Sequence, residues 1–135
     1  MNYKFTIPGQ MPNLNDYLAA ERIKCKTPYG KTNTKGNLMK QKWTEYVVTY
    51  IRKDLKRLHI EKPVRLHYTF YEPNCKRDLD NIASFAMKII QDSLVKSHII
   101  SNDGWKNIIG FECEFFVSNH QPRIEVTLEE MWMED

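Results

Sequence analysis

Val64-Arg65-Leu66-His67-Tyr68-Thr69-Phe70-Tyr71-Glu72, followed by Pro73-Asn74-Cys75-Lys76-Arg77-Asp78-Leu79-Asp80-Asn81 and the residues up to Lys96, is the stretch that decides the fold. Val64, Leu66, Tyr68 and Phe70 alternate with Arg65, His67, Thr69 and Tyr71, the period of a half-buried strand, and Glu72-Pro73-Asn74 is a turn signal that stops it. The spacing then changes. Ile82, Phe85, Ala86, Ile89 and Ile90 recur at three and four, which predicts a helix to about Lys96 with Asp80 or Asn81 as its cap. A strand thus feeds a helix through a polar, charged turn.

Upstream, Tyr3, Phe5 and Ile7 alternate with Lys4 and Thr6, which predicts a strand over residues 2 to 8, ended by Pro8-Gly9. Pro12-Asn13-Leu14-Asn15-Asp16 opens a short helix through about Ile23, capped by Asn13 or Asn15. Residues 26 to 36 carry Pro, Gly and Asn without an apolar period and read as a basic loop. From about Asn37 to Leu58, Met39, Trp43, Val47, Tyr50, Ile51 and Leu55 mark one face of a long helix. Downstream of Lys96 a loop runs to Gly104, a strand is expected from Trp105 to Val117, and a turn at residues 118 to 122 leads to a last strand, Arg123 to Glu129. The order β-(α)-α-β-α-β-β over one domain, residues 1 to 135, predicts an α+β fold: a mixed four-stranded sheet with helices packed on it and a terminal hairpin.

With 41 % hydrophobic and 27 % charged residues, the chain has the composition of a globular domain, and no run is apolar for the ~18 residues of a membrane span. The start lacks a secretory pattern, so a cytoplasmic location is expected. Three distant cysteines without C-x-x-C spacing argue against a disulfide scaffold or a zinc ribbon. Charge is unevenly spread. Between Arg22 and Arg57 eleven Lys or Arg stand against Glu45 and Asp54, a balance of +9, so the other residues sum to −6 within the total of +3. A phosphate-contacting face beside a separate acidic site would have this distribution, as would lysine-rich faces that are merely solvated.

Asp78 and Asp80 carry the chemistry. In an extended segment an i, i+2 spacing turns both carboxylates to one side, and two like charges so placed favour a divalent cation such as Mg²⁺. Lys76 and Arg77 can meet a phosphate beside it. Asp103, in the loop after the helix, returns to this site only if helix and strand pack antiparallel. Acids at a helix start also act simply as caps, which is the structural alternative for the pair.

Arg77-Asp78-Leu79-Asp80-Asn81, the helix ending Asp92-Ser93-Leu94-Val95-Lys96, Asn102-Asp103 before the next strand, and the opening Ile7-Pro8 with Pro12-Asn13 together resemble the RusA endodeoxyribonucleases, Holliday-junction resolvases often encoded by phages and prophages. The element order is similar over nearly the whole chain. The resemblance implies Mg²⁺-dependent hydrolysis of phosphodiesters in four-way junctions, with Mn²⁺ as a substitute ion, by a bacterial or phage-encoded homodimer. By position it implies Asp78, Asp80 and Asp103 as catalytic metal ligands. The family's lysine lies one turn after the second aspartate, where this chain has Ser84; Lys88, another turn on, keeps the spacing to Asp92 and Lys96 and takes the role if one turn is inserted. At ~1.5 Å per residue the backbone of Lys88 is ~12 Å from that of Asp80, a gap that a side chain leaning toward the helix start partly closes. Lys76 is the substitute. Lys24, Lys26, Lys31 and Lys35, with Lys76 and Arg77, are the DNA-backbone candidates.

A non-catalytic protein that binds DNA junctions or single strands, with the acids as caps, is the alternative, and a D-x-D phosphatase is the third reading. His59, His67, His98 and His120 show no ligand spacing. Asp92 is expected to pair with Lys88 and Lys96 on the helix surface, and Trp43, Tyr46 and Tyr50 to be core or dimer contacts.

Overall fold

The structure, a computed structural model, describes residues 1–26 and 28–131; Thr27, in the expected basic loop, lies outside the described residues. Strand β1 (Asn2–Pro8) follows its alternation. Helix α1 (Leu14–Glu21) starts on a capping box, in which Asn13 Oδ1 accepts from the Asp16 amide at 2.8 Å and the Asp16 carboxylate accepts from the Asn13 amide at 3.1 Å.

A hairpin, β2 (Lys24–Lys26) against β3 (Thr32–Thr34), begins two residues before the expected basic loop and takes in most of it. Three-residue strands are too short for a period of two to register in the sequence. Helix α2 (Lys35–Leu55) begins two residues before the expected Asn37, because Thr34 Oγ1 caps it by accepting from the Asn37 amide at 3.0 Å. It ends at Leu55 rather than Leu58, since Lys56 turns to φ 57°.

Strand β4 (Val64–Glu72) and helix α3 (Leu79–Lys96) follow, with Asp78, not Asp80 or Asn81, in the cap position. Strand β5 is Ile108–Val117 and β6 Arg123–Glu130. Trp105 belongs to a turn instead of β5, the amides of Asn107 and Ile108 both donating to the Gly104 carbonyl.

The mixed four-stranded sheet has the order β1-β6-β4-β5. β5 runs parallel to β4, joined through α3, and β6 lies between β1 and β4, antiparallel to both. The expected terminal hairpin is therefore absent. The reason is burial: Ile124, Val126 and Leu128 of β6 are almost fully buried, a demand a central strand meets, whereas half-exposed Phe111 and Val117 of β5 tolerate an edge. One row of Phe5, Ile7, Leu66, Tyr68, Phe70 and the β6 trio meets Val47 and Ile51 of α2 and Ile82, Phe85, Ile89, Ile90 and Leu94 of α3. The helices cover only this face.

Direction fixes what lies at each end. α3 runs back against β4, and α2 runs back against β1, with Tyr46 donating to the Pro8 carbonyl at 2.5 Å and the Thr6 amide donating to Asp54 at 2.9 Å. Since β1 and β4 point the same way, α2 and α3 both start at the end where β4 stops.

Candidate active site

Glu72, the last residue of β4, faces the helices by alternation and is 8 % exposed. Its Oε1 accepts from Gln10 Nε2 at 2.9 Å and lies 3.5 Å from Arg77 Nη1. Arg77 Nη2 donates to the Met11 carbonyl at 2.9 Å, and its Nε is buried without a partner. Arg77 was expected to meet a phosphate beside Lys76, but its side chain is only 17 % exposed and turned inward. A buried carboxylate demands a cation, and the arginine two residues beyond the Asn74-Cys75 turn supplies it. The pair ties the β4–α3 connection to the approach of α1. Lys76 stays exposed, its amide donating to Asn74 Oδ1 at 3.0 Å.

This tether sets Asp78 at the head of α3. Its backbone is extended and its side chain makes no cap hydrogen bond. Asp80, in the first turn, is exposed as well. The two do not form the extended pair that the spacing suggested, because Asp78 is extended whereas Asp80 already belongs to the helix. Neither carboxylate has a recorded partner among the described residues. Asp78 lines a cleft of about 400 Å³ together with Glu72, Leu79, Ile82, Phe115 and Phe116; Asp80 is not among its lining residues.

Helix and strand do pack antiparallel, as the return of Asp103 requires, yet Asp103 comes back only beside the middle of α3. There Lys88 Nζ is 3.1 Å from Asp92 Oδ1, and its pKa is raised by that hydrogen bond first, then by the charges of Asp92 and, less, of Asp103. The lysine therefore reaches toward the helix end, away from Asp80. Among the described residues no three His, Cys, Asp or Glu side chains form a group that could hold a metal ion. Mg²⁺ takes one or two carboxylates and fills its shell with water and phosphate oxygens, chemistry that the carboxylates of Asp78 and Asp80 could supply.

Lys24, Lys26, Lys31 and Lys35 are all exposed on the β2–β3 hairpin and its junction with α2. The Lys35 amide donates to the Ile23 carbonyl at 2.8 Å and Thr34 Oγ1 to Glu21 at 2.8 Å, anchoring the hairpin at the start of α2, the end that also carries Asp78 and Asp80. Sequence reasoning missed Glu72, whose only signal is a charged residue in register with the apolar face of its strand. Trp43, Tyr46 and Tyr50 form an edge-to-face ladder along α2, and Trp43 and Tyr46 pack on the core. His67 lies between Glu129, at 2.8 Å, and Glu112, at 3.4 Å, on the open face of the sheet.

Comparison with known families matches residues 21–129 to the model described as endodeoxyribonuclease RusA. The chain belongs to the RusA endodeoxyribonuclease family. The RusA match runs from the end of α1 into β6 and takes in the hairpin, α2, the Arg77–Asn81 segment, α3 and Asp103; β1 lies outside it. No curated protein matches the chain.

Proposed function

We propose that this RusA-family protein is a Mg²⁺-dependent endonuclease that resolves four-way DNA junctions as a homodimer, in the cytoplasm of a bacterial or phage-infected cell. The observation that supports it most is the pair of unpartnered carboxylates, Asp78 and Asp80, held at the head of α3 by the Glu72–Arg77 tether. A purely capping role for Asp78 is disfavoured by the absence of a side-chain cap bond. Asp78 and Asp80 would hold the ion, which when bound supplies an activated water and neutralises charge on the phosphodiester, with Mn²⁺ as a substitute. Lys76 neutralises charge on the scissile phosphate, and the hairpin lysines hold the backbone leading to it. Asp103 and Lys88 join the proposal as a second charged cluster, and they reach the same phosphodiester only once DNA binding or dimerisation brings the two clusters together. Paired incisions across a junction need two sites, hence the dimer.

The test is a synthetic four-way junction with Mg²⁺. Symmetric nicks are expected, abolished by EDTA or by Asp78→Asn or Asp80→Asn, with junction binding retained in each case. No nicking by the unmodified protein, or nicking that survives Asp80→Asn, rejects the reading and leaves a DNA-binding protein.

A further inference from the structure

A cleft of about 670 Å³ lies at the other end of the helices, between the last turn of α2 and the residues that follow α2 and α3. Arg52, Lys56, Arg57, His59 and His98 line it, and no carboxylate does. Arg52, Lys56 and Arg57 have no recorded acidic partner among the described residues. His59 Nδ1 lies 2.7 Å from the His98 carbonyl, so that nitrogen carries the proton, while its Nε2 is 4.0 Å from the exposed Glu61 carboxylate beside the cleft.

Lys56 at φ 57° and His98 at φ 64° are the only non-glycine residues with positive φ among those described, and both line this cleft. At His98 the torsion is that of an ordinary helix end, the His98 and Ile99 amides donating to the Val95 and Leu94 carbonyls at 3.0 Å; at Lys56 a glycine would take it more readily. The volume exceeds what one phosphate needs and suits a sugar-phosphate backbone, which arginine forks grip in two bonds at a time. At ~1.5 Å per residue α3 puts the cleft ~25 Å from Asp80, which is about seven base pairs at ~3.4 Å per step.

We propose that this cleft is a phosphate-binding site that holds the backbone of a DNA arm about seven base pairs from the cleavage end. Its ligand rests on the nuclease reading above. The experiment measures junction binding in EDTA, where cutting does not interfere, as a function of salt and of arm length. The unmodified protein is expected to bind less tightly when arms are cut from about fifteen to about five base pairs, because short arms stop before the cleft. Arg52→Ala with Arg57→Ala should bind long arms more weakly, lower the slope of log K against log salt by about two, and treat short arms as the unmodified protein does.

Lys56→Gly separates binding from folding: it relieves the torsion and removes one cation. Unchanged or raised thermal stability together with a slope lowered by about one is expected. Unchanged slopes in both variants, or equal losses at both arm lengths, overturn the proposal and leave the nuclease reading untouched. So does inorganic phosphate that shifts the His59 and His98 resonances without any arm-length dependence, which marks a small-anion site. Binding that follows these dependences in a protein that never nicks with Mg²⁺ overturns the nuclease reading alone.

Discussion

Arg77 keeps its charge inside the protein, where it compensates Glu72. Arg77→Met leaves that carboxylate with Gln10 alone, and we expect a loss of ~3 kcal/mol in urea unfolding, most of it recovered by adding Glu72→Gln. A stable Arg77→Met that fails only in DNA binding would instead make the guanidinium a DNA contact. Lys88 carries a pKa raised above its ordinary 10.5, chiefly by Asp92. A raised value stabilises the fold where the unfolded lysine is still charged, and the contribution fades as pH climbs through the folded value. Asp92→Asn should therefore lower the Lys88 titration, read by NMR, and cost about 0.3 kcal/mol at neutral pH, where the contribution is fully present, with that cost fading at alkaline pH. Burial pushes the Cys113 thiol up, so iodoacetamide at mildly alkaline pH should modify exposed Cys75 well before Cys113, as peptide mapping will record. At this scale residue type and spacing singled out Asp78 and Asp80 as candidates, and the structure leaves both side chains without a partner among the described residues. The sequence did not disclose the inward turn of Arg77, since an arginine beside an aspartate in a polar loop looks the same whether it faces a buried glutamate or a phosphate.

Elements of nine residues or more were legible because they repeat their period several times: α2, α3 and β4 stand where their apolar spacing puts them, within a turn at each end. The β2–β3 hairpin lacked that redundancy, and the order of strands depended on which strand buries more, a property of partners rather than of segments. Caps decide helix ends and also separate the roles of acids. Asn13→Ala removes one side of a capping box and should cost about 1 kcal/mol, whereas Asp78→Ala, losing no cap bond, should cost less than ~0.5 kcal/mol in the same denaturation series. Equal costs would return Asp78 to the role of a cap.

For the whole molecule, the sheet has two edges, β1 and β5, and β5 is the one that carries exposed large apolar side chains. It pairs only with β4, and Ile109, Phe111, Phe116 and Val117 along it are 44 to 55 % exposed. An unprotected edge of this kind favours a partner strand, and in the homodimer proposed above that partner is a second copy. Sedimentation should give a dimer, shifted toward monomer by Phe111→Lys with Val117→Lys, and the weakened dimer should nick junctions once instead of in pairs. An unchanged mass in that variant would move the interface elsewhere. The helical layer on one face of the sheet was legible from alternation; the surface that meets a second chain was not, because an exposed phenylalanine on a strand obeys the same alternation as a buried one.

The common direction of α2 and α3 gives the molecule an electrical orientation. Peptide dipoles in two helices that start together add instead of cancelling, so the end bearing Asp78, Asp80 and the hairpin lysines presents the positive poles, and the opposite end the negative ones. At the former end the helix starts and the hairpin lysines therefore present the same sign to an approaching polyanion. At the opposite end the negative poles favour cations, and Arg52, Lys56 and Arg57 stand there, so a phosphate bound in the far cleft would be held by side chains against two helix termini of like sign.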